Sequence, residues 1–139
     1  MRVCVIDGQG GGIGSTLIKR LKEEFQEKIE IIALGTNSIA TSAMMRAKAN
    51  KGATGENAIM RTVSSVDIII GSIGVVIANS MMGELTPKMA EAVASSPAKK
   101  FLLPLLQEKI EIIGVNTEPL PHLVEELITE KLKGVMNNV

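Results

Sequence analysis

Val3-Cys4-Val5-Ile6-Asp7-Gly8-Gln9-Gly10-Gly11-Gly12-Ile13-Gly14-Ser15-Thr16 is the stretch that decides how this chain is read. Residues 3–6 are continuously apolar, as expected of a strand covered on both faces in a parallel sheet. Five glycines then fall between residues 8 and 14. Glycine permits a sharp turn and lets the backbone approach a ligand closely. Ile13, Leu17, Leu21 and Phe25 follow at four-residue spacing, with Ile18 beside them, which is one face of an amphipathic helix. The stretch therefore predicts strand, glycine turn and helix N-terminus. The free N–H groups and positive dipole end of such a helix seat a phosphate. Gly8, Gln9, Gly10, Gly11, Gly12, Ile13, Gly14 and Ser15 are the expected ligand-binding residues of the turn. The alternative is a tight turn that binds nothing.

The glycine spacing narrows the reading. G-x-G-x-x-G fails, because Ile13 or Ser15 falls where the third glycine belongs. G-x-x-x-G-x-G fits, as Gly8, Gly12 and Gly14, and with Ile13 it resembles the cofactor turn of short-chain dehydrogenases. That resemblance implies NAD or NADP. It ends at the turn, since their Tyr-x-x-x-Lys pair cannot exist in a chain without tyrosine. Residues 10–16 are also similar to the nucleotide loop of ParA-like ATPases. Gly10 and Ser15 stand where that family needs lysine, so no cation meets the β/γ-phosphates and ATP hydrolysis is not expected.

The chain has 139 residues, enough for one domain with its own core but short for a cofactor domain plus a substrate domain. A single domain over residues 1–133 with a loose tail at 134–139 is expected. Lys+Arg and Asp+Glu are both 15, and Phe25 and Phe101 are the only aromatic residues. No basic tract and no stacking surface argue against nucleic acid. Cys4 is the single cysteine, so a disulfide framework and a cysteine-rich metal site are excluded. No signal-peptide pattern opens the sequence, and its longest charge-free run, residues 68–83, is too short and too broken by glycine and polar residues to span a membrane. A cytoplasmic protein is expected.

The order of elements follows from periodicity and caps. Helix one should end near Lys28, strand two covers 29–34, and helix two covers 38–49. A third strand around 53–57 is too short to assign, and a helix begins at Glu56. Residues 67–70 form a central strand, and Thr86-Pro87 opens another helix. Residues 100–106 and 110–115 read as strands that pair antiparallel or diverge at a bend, with Gln107-Glu108-Lys109 as the turn and Pro104 marking an edge. Leu123, Val124, Leu127, Ile128 and Leu132 line a last helix, which Gly134 should end. This alternation predicts an α/β fold, Rossmann-like, three-layered and doubly wound, with a mostly parallel sheet.

Such sheets bind ligands at the carboxyl ends of their strands. Gly35, Thr36, Asn37 and Ser72 sit at such ends and complete the expected site, with Asn79 a further candidate. The acid that would hold ribose hydroxyls after strand two is missing; Thr36 and Asn37 can hydrogen-bond a ribose or a 2′-phosphate, and Asn37 can equally cap the next helix. Asp7 would repel a phosphate, so bracing the turn through glycine N–H groups is its simpler role. His122 reads as a surface or capping histidine, and Glu56 as a first-turn acid. Residues 75–84 follow no period and should lie in the core or in a subunit interface; self-association, as a dimer, is expected.

Over nearly its whole length the chain resembles an uncharacterised family of small bacterial proteins. The stretches that carry this are residues 5–14, Ala33-Leu34-Gly35-Thr36-Asn37, Gly52-Ala53-Thr54-Gly55-Glu56-Asn57-Ala58-Ile59 and Ala78-Asn79-Ser80-Met81-Met82-Gly83-Glu84-Leu85-Thr86-Pro87. The resemblance implies a Rossmann-like fold and names no activity. Two functions stay open. One is a sensor or accessory module binding NAD(P) or another phosphorylated ligand. The other is a small oligomeric enzyme acting on a phosphorylated metabolite, its site completed across a subunit interface by Asn79, Glu84 or Glu56.

Overall fold

Because residues 3–6 are all apolar, β1 (Arg2–Asp7) needs cover on both faces, and the fold supplies it. In the computed structural model, which describes residues 1–106, 109–116 and 118–136, Val3 and Val5 point into one apolar layer and Cys4 and Ile6 into the other. β2 (Glu30–Gly35) divides in the same way: Ile31 and Ala33 join Val3 and Val5, whereas Ile32 and Leu34 join Cys4 and Ile6. β4 (Ile68–Ser72) repeats the alternation with Ile68 and Ile70 against Ile69. With parallel registers such as Val3↔Ile31 and Val3↔Ile68, like-facing residues stack across the sheet. Each fully buried Ile or Leu stabilises the fold by about 1.5–3 kcal/mol.

The sheet order is β3-β2-β1-β4-β5, with β3 at Lys51–Thr54 and β5 at Lys99–Leu103, and every pairing is parallel. One face is covered by α1 (Gly12–Phe25), by Met44 of α2 (Ser38–Arg46) and by α5 (Leu120–Glu126). The other is covered by α3 (Glu56–Thr62) and α4 (Pro87–Ser95). The chain winds outward from β1 to β3, then crosses back to β4 on the opposite side of β1. The carboxyl ends of β1 and β4 therefore frame a topological switch point, where open α/β sheets form a crevice.

The Rossmann-like, three-layer reading holds, and several elements differ in detail. β3 is a real strand, paired with β2 through Ile32↔Lys51 to Gly35↔Thr54. No antiparallel strand occurs among the described residues. β5 stops at Leu103 because Pro104 has no N–H for a ladder, and residues 110–116 form none: Gly114 turns with φ 87° and Ile113 is 89% exposed. Gln107 and Glu108 of the expected turn lie outside the described residues. The final helix does not end at Gly134; it passes through a π-helical segment (Leu127–Leu132) into Lys133–Met136. Of the expected tail, 134–136 are helical and 137–139 lie outside the described residues. Among the described residues, no helix is long and apolar enough to cross a membrane.

Candidate functional site

The glycine turn is held from inside by Asp7. Its carboxylate accepts from the Gly8 amide at 2.8 Å and the Gly14 amide at 2.6 Å, tying strand end to helix start. Burial pushes its carboxyl above the usual range; the Gly14 and Gly8 amides oppose that, and nearby Glu84 adds to it. Gly11 donates to the Gly8 carbonyl at 2.9 Å and caps α1 with φ 75°, a left-handed conformation that glycine adopts at no steric cost. A side chain there would also meet the α2 backbone at Ala40, 2.9 Å away.

The second carboxylate is Glu84, which the sequence offered only as completing a site across a subunit interface. Glu84 lies on the loop between β4 and α4, 75 residues from Gln9, yet its Oε1 accepts from the Gln9 amide at 2.8 Å. The same oxygen accepts from Thr36 Oγ1 and from Asn37 Nδ2, each at 2.7 Å. The acid absent from the end of β2 in sequence is thus present there in space, within one chain. Partial burial pushes Glu84 up, but the Gln9, Thr36 and Asn37 donors together hold it below the usual carboxylate range. Asn37 also caps α2 by accepting from the Ala40 amide at 2.9 Å, so capping and polar contact at the turn coexist. Gly8 has to be glycine, since a Cβ would lie 2.5 Å from Thr36 Oγ1 and 2.8 Å from Met81 Sδ.

The loop that carries Glu84 has an unusual backbone. Asn79, Met81 and Met82 have φ of 67°, 58° and 57°, followed by Gly83 at 87°. Left-handed conformations cost non-glycine residues of order 1 kcal/mol or more each. The loop is fixed by a bond from the Asn79 amide to the Leu85 carbonyl at 2.8 Å and by the buried Ser80 hydroxyl, which donates to the Gly74 carbonyl at 2.6 Å. The charge-free stretch before it is mostly core: β4 and Val75 are buried, while Met82 is 93% exposed.

On the other side of the turn, at the switch point, lies a cavity of about 310 Å³. Asp7, Gln9, Ser72 and Ser80 form its polar wall. Ile13, Met81, Leu105 and Leu106 form its apolar wall. Ser72 is 7% exposed and, although it precedes a 3-10 turn (Ile73–Val76), its side chain does not cap that turn. Its hydroxyl has no hydrogen-bond partner among the described residues. The amides of Gly10 and Gly12 likewise have no partner among them, and a Cβ at either glycine would meet open space. Ser15 and Thr16 turn their hydroxyls back to the Gly12 carbonyl.

Of the residues expected from sequence, Gln9, Ile13 and Ser72 line this cavity and Gly10, Gly12 and Ser15 stand at the helix N-terminus beside it. Gly35, Thr36 and Asn37 lie on the far side, around Glu84. Asn79 is exposed, Glu56 accepts from Thr86 Oγ1 at the start of α4, and His122 is exposed beside Glu118. Cys4 is fully buried, and burial pushes its thiol up to about 12. No group of three or more His, Cys, Asp or Glu residues among the described ones is arranged to hold a metal. Ser80, Leu105 and Leu106 were not foreseen as lining residues. The signal for Glu84 was there: it is the first charge after sixteen uncharged residues and lies two residues before the helix cap Thr86.

A doubly wound parallel sheet with a crevice at its β1/β4 switch point defines a Rossmann-like α/β protein. More particularly, the chain belongs to the family described as "Domain of unknown function (DUF3842)", whose model matches residues 2–136. No curated protein matches it. Among solved structures it is similar to a dodecameric FMN-dependent UbiX-like decarboxylase from Escherichia coli O157:H7. The identity is 14%, with 98% of this chain and 95% of that chain covered and a TM-score of 0.56. At that identity the likeness concerns the fold.

Proposed function

We propose that this protein binds a phosphorylated ligand of the mononucleotide type, FMN being the best-supported example, as a single-domain sensor or accessory module. The phosphoryl group sits on the Gly10 and Gly12 amides at the N-terminus of α1, and the ring system lies against Ile13, Met81, Leu105 and Leu106. The observation that carries the reading is Ser72: a hydroxyl without a partner among the described residues, opening into a cavity of about 310 Å³ beside two unpaired loop amides. The volume is at the lower end of ligand clefts, about 300–1,000 Å³. The neighbour described as FMN-dependent supports a flavin over NAD or NADP. Its description as dodecameric, and the exposed Met82 and Ile39 at the carboxyl edge, support a homo-oligomer.

The test is a titration of FMN fluorescence with the wild-type protein and with Gly12→Val. The valine Cβ enters open space, so the fold should survive while the seat is blocked. Affinity should fall at least about tenfold, or roughly 1.4 kcal/mol. Absence of FMN binding by the wild type, or equal binding by the variant, would overturn the reading.

A further inference from the structure

We propose that Glu84 is a specificity-determining residue: it seals the β2 side of the crevice from within and restricts the site to ligands with one phosphoryl group. The inference rests on the loop at residues 8–14 being the phosphoryl seat. A dinucleotide crossing that loop needs donors on both sides of it. On the β2 side those donors are the Gln9 amide, the Thr36 hydroxyl and the Asn37 amide, and all three converge on Glu84 Oε1 within 2.8 Å. Within the loop, Asp7 occupies the Gly8 and Gly14 amides and also draws on that of Ile13, the Gly8 carbonyl occupies that of Gly11, and the Gly11 carbonyl that of Ser15. Two amides, those of Gly10 and Gly12, are left without a partner among the described residues. That number suits one phosphoryl group. A second phosphate reaching the β2 side would also meet the Glu84 carboxylate, and like charges repel.

The seal is built in rather than incidental. Gly8 leaves room for Thr36, Met81 and Glu84 to meet at one point, where a Cβ would lie 3.0 Å or less from all three side chains. The left-handed residues Asn79, Met81 and Met82 turn the chain so that Glu84 reaches back to the loop, and Glu84's own amide donates to the Met81 carbonyl at 3.1 Å.

The experiment is calorimetric titration of NAD into wild type, Glu84→Ala and Glu84→Gln, with FMN titrated into the wild type in parallel. Glu84→Ala frees three donors and removes a charge, so its NAD affinity should rise at least about tenfold over wild type. Glu84→Gln removes the charge and keeps the shape, so a smaller gain is expected; it carries the test if the alanine variant does not fold. A merely structural Glu84 would give loss or no change, and either result overturns the inference, as does wild-type NAD binding tighter than that of both variants. The FMN titration reports separately on the phosphoryl seat: its failure with a gain in NAD affinity would sink the mononucleotide reading and leave Glu84 as the seal.

Discussion

The two sides of the glycine turn are built from similar polar residues and end in opposite states. On the β2 side, Gln9, Thr36 and Asn37 are all engaged by one carboxylate oxygen of Glu84. On the β4 side, the Ser72 hydroxyl faces a cavity, without a protein partner among the described residues. The difference teaches that donors at a sheet's carboxyl edge do not by themselves make a ligand site. What matters is whether the protein has already satisfied them. A saturated donor set stabilises the fold, whereas an unsaturated one facing a cavity is free to bond a ligand.

The glycines give the sharpest way to break this comparison. A Cβ at Gly14 would lie 2.5 Å from Met44 Sδ and 2.9 Å from the Asp7 Cβ, while one at Gly12 meets open space. Gly14→Val should therefore destabilise the protein by about 2–3 kcal/mol through overpacking, and Gly12→Val by less than about 0.5 kcal/mol. Urea unfolding measures both, and equal costs would show that the turn is not divided as described. Ser80→Ala comes next. It removes one of the two bonds to the Gly74 carbonyl, which keeps the one from the Ile77 amide at 3.1 Å, and should cost about 1 kcal/mol in the same assay. Ser72→Ala should leave stability within about 0.5 kcal/mol of wild type yet weaken FMN binding by about 1 kcal/mol, roughly fivefold. A Ser72 variant that lost stability instead would place that hydroxyl in the fold rather than in the site.

The smallest effect is in the pH dependence, and it has opposite signs at the two carboxylates. Glu84 titrates below its ordinary 4.5 in the folded state, so its contribution to stability is present above that pH and is lost as pH falls through the folded value. Asp7 titrates above its ordinary 3.8, so its contribution is present below that pH and is lost as pH rises through the folded value. The stability difference between wild type and Glu84→Gln should therefore shrink on acidification. A difference that grew would contradict the hydrogen-bond pattern assigned to Glu84.

Much of the frame was legible because its signals are local. β1 and α1 follow from an unbroken apolar run and a four-residue period, and α4 from Thr86 and Pro87, whose cap the Thr86 side chain makes to the Met89 amide. Asp7 as a brace for the glycine amides was also readable, since donors and acceptor are neighbours in sequence. What escaped depends on distant parts of the chain. β3 has only four residues, three of them exposed, and becomes a strand only because β2 offers it a ladder. The expected strand at 110–115 has apolar residues but begins beyond Pro104, where the ladder has already ended. Glu84 joins Gln9, Thr36 and Asn37 only after β4 and its left-handed loop have brought it back across the sheet edge.

The central claim is that a phosphoryl group, seated on the β4 side of the turn, holds the ligand. Melting the wild-type protein with FMN, riboflavin and NADP at matched concentrations tests it most directly, because a ligand that binds only the folded state raises the melting temperature by mass action. At a hundredfold excess over its dissociation constant, FMN should add about 2.7 kcal/mol of stability, while riboflavin, which lacks the phosphate, and NADP, which needs the sealed side, should add little. Riboflavin matching FMN, or NADP alone raising the melting temperature, would contradict the account.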